Sequence, residues 1–257
     1  MADTLTPTIY KPVWIDLSSS DPAASRDFYA RLFGWQIEVD PDPQYGGYAM
    51  ARLSGKDVAG IGPKMMPEAP TAWSIYIGTS DIAEMTAKVH AAGGTVVAPP
   101  MQVGEQGSMA VFGDPSGAFI SAWQPKSMAG GVMAGTPGGY GWAELNSRGL
   151  DKAVEFYANA FGWGTRTSPM GESGLYTEFR VGDESIAGAV EMNPMTPAGV
   201  PSYWMVYFAV ADVDASFKKA IAGGAREMVA PRDYPGGRLA ILGDPQGAMF
   251  GLLKAAG

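Results

Sequence analysis

The residues best suited to do chemistry in this chain are two carboxylates that each follow a tryptophan by two positions. Asp16 lies in Trp14-Ile15-Asp16-Leu17, and Glu144 lies in Trp142-Ala143-Glu144-Leu145. Side chains alternate across a β-strand, so in each stretch the tryptophan and the carboxylate share one face. Such a carboxylate could bind ligand hydroxyls or act as a general base whose pKa burial has raised. Asp16 and Glu144 are therefore our candidate catalytic residues, and the alternative is that each is hydrogen-bonded within the scaffold.

Aromatic and basic side chains that could contact a ligand recur on other predicted strands. Tyr48 and Arg52 share one face of a strand, and the same pair recurs as Tyr176 and Arg180. Arginine there could recognise an anionic ligand, or it could pair with a carboxylate at a sheet edge. Tryptophan could stack on a flat aromatic ligand, or it could belong to the core. The candidate ligand-binding residues are Trp14, Trp142, Tyr48, Tyr176, Arg52, Arg180, Trp73 and Trp204.

The counts of cysteine and histidine exclude several kinds of site. The 257 residues contain no cysteine, which rules out disulfides, thiolate metal sites and a thiol nucleophile. A single histidine, His90, rules out multi-histidine metal sites and most histidine-based catalytic triads. The sequence also lacks a phosphate-binding loop, a nucleophile elbow and a dinucleotide fingerprint, so ATPase, hydrolase and Rossmann-type functions are set aside.

Charge and hydropathy indicate which partners to expect. The formal net charge of -8 makes attraction to nucleic acid or to anionic lipid unfavourable. No apolar run approaches the roughly 20 residues that span a bilayer. The first residues, Met-Ala-Asp-Thr-Leu-Thr, lack the basic stretch and apolar core of a signal peptide. We expect a cytoplasmic monomer or homodimer that binds a small molecule and neither nucleic acid nor membrane.

The chain is a duplication with a spacing of 128 residues over its first landmarks, as from Trp14 to Trp142. The repeated landmarks are Phe28-Tyr29 with Phe156-Tyr157, Phe33-Gly34-Trp35 with Phe161-Gly162-Trp163, and Gly113-Asp114-Pro115-Ser116-Gly117 with Gly243-Asp244-Pro245-Gln246-Gly247. A glycine-rich stretch without periodicity separates the halves. We predict one domain over residues 8–125, a linker over 126–140 and a second domain over 141–255.

Each half divides again into two modules of the same order. The first quarter predicts a strand over 12–18, a helix that begins after Asp21-Pro22, and three short strands. The second quarter predicts a strand over 72–78, a helix over about 81–92, and again three strands. The short strands are expected near 36–39, 46–53, 58–63, 95–98, 107–112 and 118–123. The sequence therefore predicts an α+β fold of four βαβββ modules.

Paired modules with Phe-Tyr-x3-Phe-Gly-Trp after the first strand and a late Gly-Asp-Pro-x-Gly turn resemble the vicinal-oxygen-chelate superfamily. This superfamily includes glyoxalases, bleomycin-resistance proteins and extradiol dioxygenases, and the resemblance extends from about residue 10 to 254. It is strongest to double-length actinobacterial members labelled glyoxalase-like or hydroxylase, some of them among antibiotic-pathway proteins. The resemblance implies that two modules curl their sheets into a cup that holds a small molecule.

The resemblance also implies where metal ligands would stand. Metal-dependent members place histidine, glutamate or glutamine early in the first strand of each module and glutamate late in the last strand. At these positions the present sequence has Trp14, Trp142, Ser74, Met205, Ser121 and Gly251. None of these is a competent ligand for Zn, Ni or Fe, which need about three or four nitrogen or oxygen ligands. We therefore expect no metal and no other cofactor.

These observations lead to a hypothesis with one rival. In the leading hypothesis, the cup binds a small apolar or aromatic metabolite. Binding serves either sequestration and resistance in secondary metabolism or metal-independent acid/base turnover. The rival is a metal-dependent lyase or oxygenase of the glyoxalase or dioxygenase type, with the ion held by carboxylates such as Asp16 and Glu144. Whether the protein is an enzyme stays open at this point.

Overall fold

A computed structural model describes residues 9–170 and 174–256. Its helices and strands follow the order strand, helix, three strands, four times over, which confirms the predicted α+β fold of four modules. Module 1 comprises β1 (Pro12–Ser19), α1 (Pro22–Phe33), β2 (Gln36–Val39), β3 (Ala49–Leu53) and β4 (Lys56–Pro63). Module 2 comprises β5 (Ala72–Gly78), α2 (Ile82–Ala91), β6 (Thr95–Val103), β7 (Gly107–Gly113) and β8 (Phe119–Pro125). Module 3 comprises β9 (Tyr140–Ser147), α3 (Leu150–Phe161), β10 (Gly164–Pro169), β11 (Leu175–Val181) and β12 (Glu184–Glu191). Module 4 comprises β13 (Tyr203–Ala209), α4 (Val213–Ala222), β14 (Arg226–Tyr234), β15 (Gly237–Gly243) and β16 (Met249–Ala255).

The helices begin and end where local chemistry requires. Asp21, Asp81 and Asp212 are the N-caps of α1, α2 and α4, and each carboxylate accepts hydrogen bonds from backbone N–H groups of the first turn. The helices α1 and α3 end at Gly34 and Gly162, with φ of 75° and 67°, a left-handed conformation that glycine adopts without a steric penalty. None of the described helices is long and apolar enough to cross a membrane.

The strands form two eight-stranded sheets. Within module 1 the strand order is β2-β3-β4-β1, with β1 parallel to β4 and the other pairs antiparallel. The other modules repeat this order. The first strand of each module therefore lies beside the last strand of the same module. Residues at the beginning of a module are thus brought next to residues at its end.

Alternation along β1 gives the sheet two unlike faces. Ile15 and Leu17 are buried, whereas Asp16 between them is only half-buried. In register with Asp16 across the sheet are Gly60 and then Met50. We call the side of the module 1 sheet that carries Asp16 the Asp16 face, and the equivalent side of module 3 the Glu144 face.

The chain divides into two compact units. Each unit combines one module from the first half of the sequence with one module from the second half. The first unit contains the described parts of residues 1–13, 75–130 and 143–204, and thus most of modules 2 and 3. The second contains those of residues 14–74, 131–142 and 205–257, and thus most of modules 1 and 4. The first strand of each module is divided between the units, so Trp73 of β5 belongs to the second unit and Trp204 of β13 to the first.

Each unit has an aromatic core around one tyrosine of a helix. Tyr157 of α3 has this place in the first unit, and Tyr29 of α1 has it in the second, where its ring packs edge-on against Phe250 with centroids 5.6 Å apart. Part of the glycine-rich stretch 126–140 also packs into the second unit, because Trp35 donates a 2.7 Å hydrogen bond from Nε1 to the carbonyl of Gly138.

Candidate functional site

The Asp16 face carries a hydrogen-bonded group of three side chains. Trp14 Nε1 donates to the hydroxyl of Tyr48 over 3.0 Å, and that hydroxyl is also hydrogen-bonded to the Asp16 carboxylate. Trp14 is 3% exposed, so its indole is fixed, while Asp16 and Tyr48 are half-buried. The arrangement joins a rigid aromatic plane to a partly open carboxylate through one tyrosine.

The protonation state of Tyr48 follows from its surroundings. Burial raises the pKa of Tyr48 well above its usual value, and the neighbouring Asp16 carboxylate raises it further. The hydroxyl therefore stays protonated at neutral pH, accepts from Trp14 and donates to Asp16. A carboxylate has about four acceptor positions, so hydrogen bonds from protein groups and one from a ligand hydroxyl do not exclude each other.

Tyr48 can take this position because the two β4 residues beneath its ring are glycines, Gly60 and Gly62. A Cβ atom added at Gly60 would lie 1.7 Å from the Tyr48 hydroxyl oxygen, and one at Gly62 would lie 2.9 Å from Cδ2 of the ring. The phenol thus lies flat against β4, between Asp16 on one side and Met50 on the other. Glycine at position 60 is what allows the tyrosine to form the floor of this face.

Arg52 lies on the same face but is engaged in ion pairs at the edge of the sheet. Its Nε donates to Asp57 over 2.9 Å and its Nη1 donates to Glu38 over 2.8 Å. An open depression of about 220 Å³ lies beside it, lined by Glu38, Val39, Asp40, Pro41, Met50 and Arg52. Arg52 therefore forms part of the wall of this depression, and its positive charge is balanced by Asp57 and Glu38.

The Glu144 face has the same backbone and different side chains. Glu144 is in register with Gly188, Gly188 with Glu178, and Glu178 with Arg166, so these residues form one row across four strands. Arg166 donates to both carboxylate oxygens of Glu178, over 2.9 and 2.7 Å, and Ser185 donates to Glu178 as well. Burial alone would raise the pKa of Glu178, but the hydrogen bonds from Ser185 and Arg166 outweigh it and lower the pKa.

Tyr203 on β13 is influenced by the charge of Glu144. Burial raises the pKa of Tyr203, and the charge of Glu144 raises it further. Both residues belong to the first unit. The charge of Glu144 thus acts on a tyrosine of β13, and the Glu178–Arg166 pair lies in the same row two strands away.

The remaining candidates of module 3 are partly exposed. Trp142 and Tyr176 are half-buried. Arg180 donates from Nη2 to the carbonyl of Asp183, and its Nε is buried without a hydrogen-bond partner among the described residues. Its positive charge also lowers the pKa of Glu178. Arg180 therefore lies near a carboxylate, like Arg52, although with fewer direct hydrogen bonds.

Trp73 and Trp204 lie in the aromatic cores instead of beside the carboxylates. They are 5% and 7% exposed, and each donates from Nε1 to a core tyrosine hydroxyl, Trp73 to Tyr29 over 2.9 Å and Trp204 to Tyr157 over 2.8 Å. Alternation puts them on the opposite side of their strands from Ser74 and Met205. This position argues against direct contact between either indole and a ligand on the Asp16 or Glu144 face.

Each core tyrosine in turn donates to an aspartate that sequence reasoning had assigned only to a turn. Tyr29 donates to Asp244 Oδ2 and Tyr157 donates to Asp114 Oδ2, both over 3.0 Å. The recurrence of Phe28-Tyr29 and of Gly-Asp-Pro in both halves was the available signal, but the pairing crosses the halves. Tyr203, Glu178 and Arg166 were also missed as neighbours of Glu144, and a position-by-position comparison of the halves would have marked them.

The positions of the usual metal ligands do not fit a metal ion in this structure. In register with Tyr207 is Gly251, where an added Cβ would lie 2.0 Å from the tyrosine ring, so the ring covers the position. Ser121 is 3% exposed and Met205 is 2% exposed. Within residues 9–170 and 174–256, no three histidine, cysteine, aspartate or glutamate side chains are grouped closely enough to hold an ion.

With the fold and the two faces defined, the family follows from comparison. The family model of the Glyoxalase/Bleomycin resistance protein/Dioxygenase superfamily matches residues 11–121 and again 139–252. The chain belongs to this superfamily, as a tandem duplication. Among solved structures, the fold is similar to the Mn(II)-bound glyoxalase from Novosphingobium aromaticivorans, with a TM-score of 0.66 and 18% identity over 95% of this chain and 81% of that one. It is also similar to the 2,3-dioxygenase LapB from Pseudomonas sp. KL28, with a TM-score of 0.68 and 14% identity over 97% and 94% of the two chains.

Two relatives are more similar in sequence and match nearly end to end. CFP32 of Mycobacterium tuberculosis, assigned provisionally as a glyoxylase, is 39% identical over 251 residues, which cover 95% of each chain. The anthracycline biosynthesis protein DnrV of Streptomyces peucetius is 37% identical over 258 residues, which cover 95% of this chain and 92% of that one. The similarity therefore extends over nearly the whole length of both relatives.

Proposed function

We propose that this protein binds a small aromatic metabolite without a metal ion, on the sheet faces that carry Asp16 and Glu144. The observation that carries the proposal is the group Trp14, Tyr48 and Asp16, in which a fixed indole and a phenol lie beside a half-buried carboxylate. The half-buried Tyr48 ring supplies the aromatic face, which adds about 0.5 to 1.5 kcal/mol per stacked pair beyond burial. The buried Trp14 holds Tyr48 in place through its Nε1 hydrogen bond. The carboxylate then accepts a hydrogen bond from a hydroxyl of the ligand.

The same geometry supports acid/base turnover as well as sequestration. A carboxylate that takes a proton from a bound phenol or an acidic C–H group acts as a general base, and the negative charge passes to the ligand. The Tyr48 hydroxyl, by donating to Asp16, orients the carboxylate for this transfer. Sequestration requires only the binding step. The relation to a protein of anthracycline biosynthesis supports a fused-ring aromatic ligand, because anthracyclines are compounds of that class.

Binding is tested by titration of the metal-free protein with 1,8-dihydroxyanthraquinone, followed by isothermal calorimetry and thermal unfolding. We expect saturable binding that raises the midpoint of unfolding. Asp16→Asn and Tyr48→Phe should each weaken binding by about tenfold, which corresponds to about 1.4 kcal/mol, a hydrogen bond to a charged group. Trp35→Phe removes a core indole away from the face and is the matched control for Trp14→Phe, which should weaken binding.

Metal dependence is the arm of the experiment that could overturn the proposal. Protein purified without added metal is subjected to elemental analysis and then assayed with methylglyoxal and glutathione, or with catechol, in the presence of Mn²⁺, Fe²⁺, Ni²⁺ or Zn²⁺. A stoichiometric ion together with metal-dependent turnover would establish the rival carboxylate-held metal site. Binding of the anthraquinone that is unaffected by a chelator supports the metal-independent function.

A further inference from the structure

The C-terminal end of α3 lies beside an open depression of about 310 Å³ in the first unit. Its lining includes Tyr10, Lys88, Asn159, Ala160 and Val181. The volume is at the lower end of the range of small-molecule sites. The lining shares no residue with the group of Trp14, Tyr48 and Asp16, so this depression is a separate candidate for binding.

The repeat places equivalent residues at the end of α1, within the second unit. The equivalent pairs are Tyr10 with Gly138, Lys88 with Lys219, Asn159 with Arg31, Ala160 with Leu32, and Val181 with Leu53. The backbone of the first pair is held in the same way in both units. Trp163 donates from Nε1 to the Tyr10 carbonyl and Trp35 donates from Nε1 to the Gly138 carbonyl, both over 2.7 Å. The end of α1 therefore serves as an internal comparison for the end of α3.

In the second unit an ammonium group binds the end of the helix. Lys219 donates from Nζ to the carbonyl of Leu32 over 3.1 Å. The last carbonyls of a helix have no partner within the helix and carry a partial negative charge, which favours a cation there. Arg31 adds a second positive charge in the last turn of α1. Basic side chains of the chain itself thus compensate this helix end.

The end of α3 is different in both respects. Asn159 stands where α1 has an arginine, and the last turn of α3 contains no basic residue. Lys88 is engaged on its own helix, because its Nζ lies 2.8 Å from a carboxylate oxygen of Glu84. It also donates to the Tyr10 hydroxyl over 3.5 Å. Within the described part of the chain, Lys88 therefore does not make the bond to Ala160 that its counterpart makes to the end of α1.

Tyr10 forms an aromatic wall where the second unit has a glycine. Its φ of 60° lies in the left-handed region, which aromatic residues rarely adopt, and its ring is half-buried beside the depression. A Cβ atom added at Gly138 would lie 3.2 Å from Leu53 and 3.3 Å from the carbonyl oxygen of Phe33, so that place is tightly packed. The first unit accepts an unfavourable backbone conformation and has a wider space at the end of its helix.

We propose that this depression binds a small primary ammonium compound with an apolar body. The ammonium group donates to the carbonyl of Ala160, as Lys219 does to that of Leu32, and the apolar body lies against Tyr10 and Val181. The helix end sets the sign of the charge, since an anion would face the partial negative charge of the last carbonyls. This site goes beyond the proposed function and does not depend on it.

The probe for this site is phenethylammonium, and 3-phenylpropionate is the anionic control of similar size. Calorimetric titration of the full-length protein should show saturable binding of the ammonium compound, about tenfold tighter than that of the carboxylate. Asn159→Arg copies the end of α1 and should weaken binding by about fivefold or more, because a second cation then lies at the helix end. The neutral variant Asn159→Gln should stay within about twofold of the wild type. Lys88→Met should strengthen binding, because it removes a positive charge from the wall.

Thermal unfolding first establishes that each variant is folded, and Asn159 is exposed, so its replacement should leave the core intact. Tighter binding of the carboxylate, loss of binding in Lys88→Met, or equal losses in Asn159→Arg and Asn159→Gln would overturn the proposal, as would the absence of saturable binding. Asp16→Asn controls for location and should not change the affinity for phenethylammonium. A loss in Asp16→Asn that is absent from Asn159→Arg would assign the cation to the Asp16 face and reject this site.

Discussion

A tyrosine hydroxyl placed between an indole and a carboxylate recurs among the described residues. Tyr48 connects Trp14 to Asp16, Tyr29 connects Trp73 to Asp244, and Tyr157 connects Trp204 to Asp114. The last two groups are buried in the cores and the first is half open. The same polar connection therefore belongs to a core in two places and lies beside a half-buried carboxylate in the third, where we propose that the ligand binds.

The first prediction at the scale of residues concerns two serines at equivalent positions. Ser19 Oγ hydrogen-bonds to Ser25 Oγ over 2.7 Å, and Ser25 donates onward to Gln246. Ser147 is fully buried, and its hydroxyl has no partner among the described residues, because Ala153 stands where Ser25 would be. Ser19→Ala should lower the free energy of unfolding by about 1 to 2 kcal/mol.

Ser147→Ala is the matched control and should be neutral or slightly stabilising, because it removes a buried hydroxyl that is already unsatisfied. Both variants are compared with the wild type by urea unfolding. An equal loss of stability in the two variants would show that Ser147 has a partner after all.

The second prediction concerns pH. Burial raises the pKa of Asp244 above 3.8, although hydrogen bonds from Ala248, Tyr29 and Gln246 partly oppose the shift. The folded state therefore binds this proton more tightly than the unfolded state. The resulting stabilisation is complete below pH 3.8 and is lost as the pH rises through the raised pKa.

Asp244→Asn cannot titrate, so this component of the pH dependence should disappear. The free energy of unfolding of the variant, relative to the wild type, should increase as the pH rises from about 3.8 through the folded pKa. Urea unfolding at a series of pH values measures the difference. A difference that decreases over this interval would mean that the folded-state pKa is lowered instead.

Which residues would share a face was predictable, and which would meet across the molecule was not. Period-two alternation predicts that Trp14 shares a face with Asp16 and that Tyr48 shares one with Arg52. The hydrogen bond from Tyr29 to Asp244 joins residues 215 positions apart, and no local pattern encodes it. The sequence also predicts Trp73 on a ligand-binding surface, whereas its indole lies in the core. Alternation assigns a residue to one face of a strand, but it does not say whether that face lines the core or the cup.

At the scale of elements, α3 differs from the other helices in how it begins. It has Gly149 in place of the aspartate N-cap, with no side-chain hydrogen bond from the cap residue. Instead Glu191, the last residue of β12, accepts from the N–H groups of Gly149 and Leu150 over 3.0 and 2.8 Å. A carboxylate from a neighbouring strand thus performs the capping of this helix.

The third prediction follows from that cap. Glu191→Ala should lower the free energy of unfolding by about 0.5 to 2 kcal/mol, the usual effect of losing an N-cap, and Glu191→Gln by less. Asp81→Ala at the cap of α2 is the comparison and should have an effect of similar size. Hydrogen exchange should become faster in the first turn of α3. Unchanged exchange there would show that Glu191 does not support the helix.

The elements themselves were largely predictable because the repeat supplied two views of each one. The strand over 72–78 and the strand near 36–39 agree with β5 and β2, and the predicted helix over about 81–92 agrees with α2. The strand predicted near 46–53 begins later, at Ala49, because Pro43–Tyr45 forms a short 3₁₀ helix that turns at Gly46. The cap of α3 was not predictable, since it comes from residue 191.

At the scale of the whole molecule, the compact units combine modules from different halves. Module 1 packs with module 4, and module 2 packs with module 3. The family model matches each half in sequence, over 11–121 and 139–252. A domain division at 8–125 and 141–255 remains a prediction, because sequence similarity identifies modules and says nothing about which helix packs on which core.

The fourth prediction tests this pairing. The segments 1–130 and 131–257 are expressed separately and together. We expect that neither segment alone forms a stable monomer, because Tyr29 and Trp73 lose Asp244, Phe208 and Phe250, and that the two segments co-purify in equal amounts. Sedimentation and thermal unfolding are the measurements. A cooperatively folding monomer of residues 1–130 would contradict the module pairing.

The pairing also sets an order for assembly on the ribosome. Modules 2 and 3 are adjacent in the chain, so the inner pair can close as soon as residue 204 has emerged, whereas module 1 waits for a partner that is translated last. Module 1 ends at Pro63 and module 4 ends at Ala255, so about 190 residues follow module 1 before its partner is complete. At about 5 to 20 residues per second, the first module synthesised stays incomplete for roughly 10 to 38 seconds and is the last to finish folding.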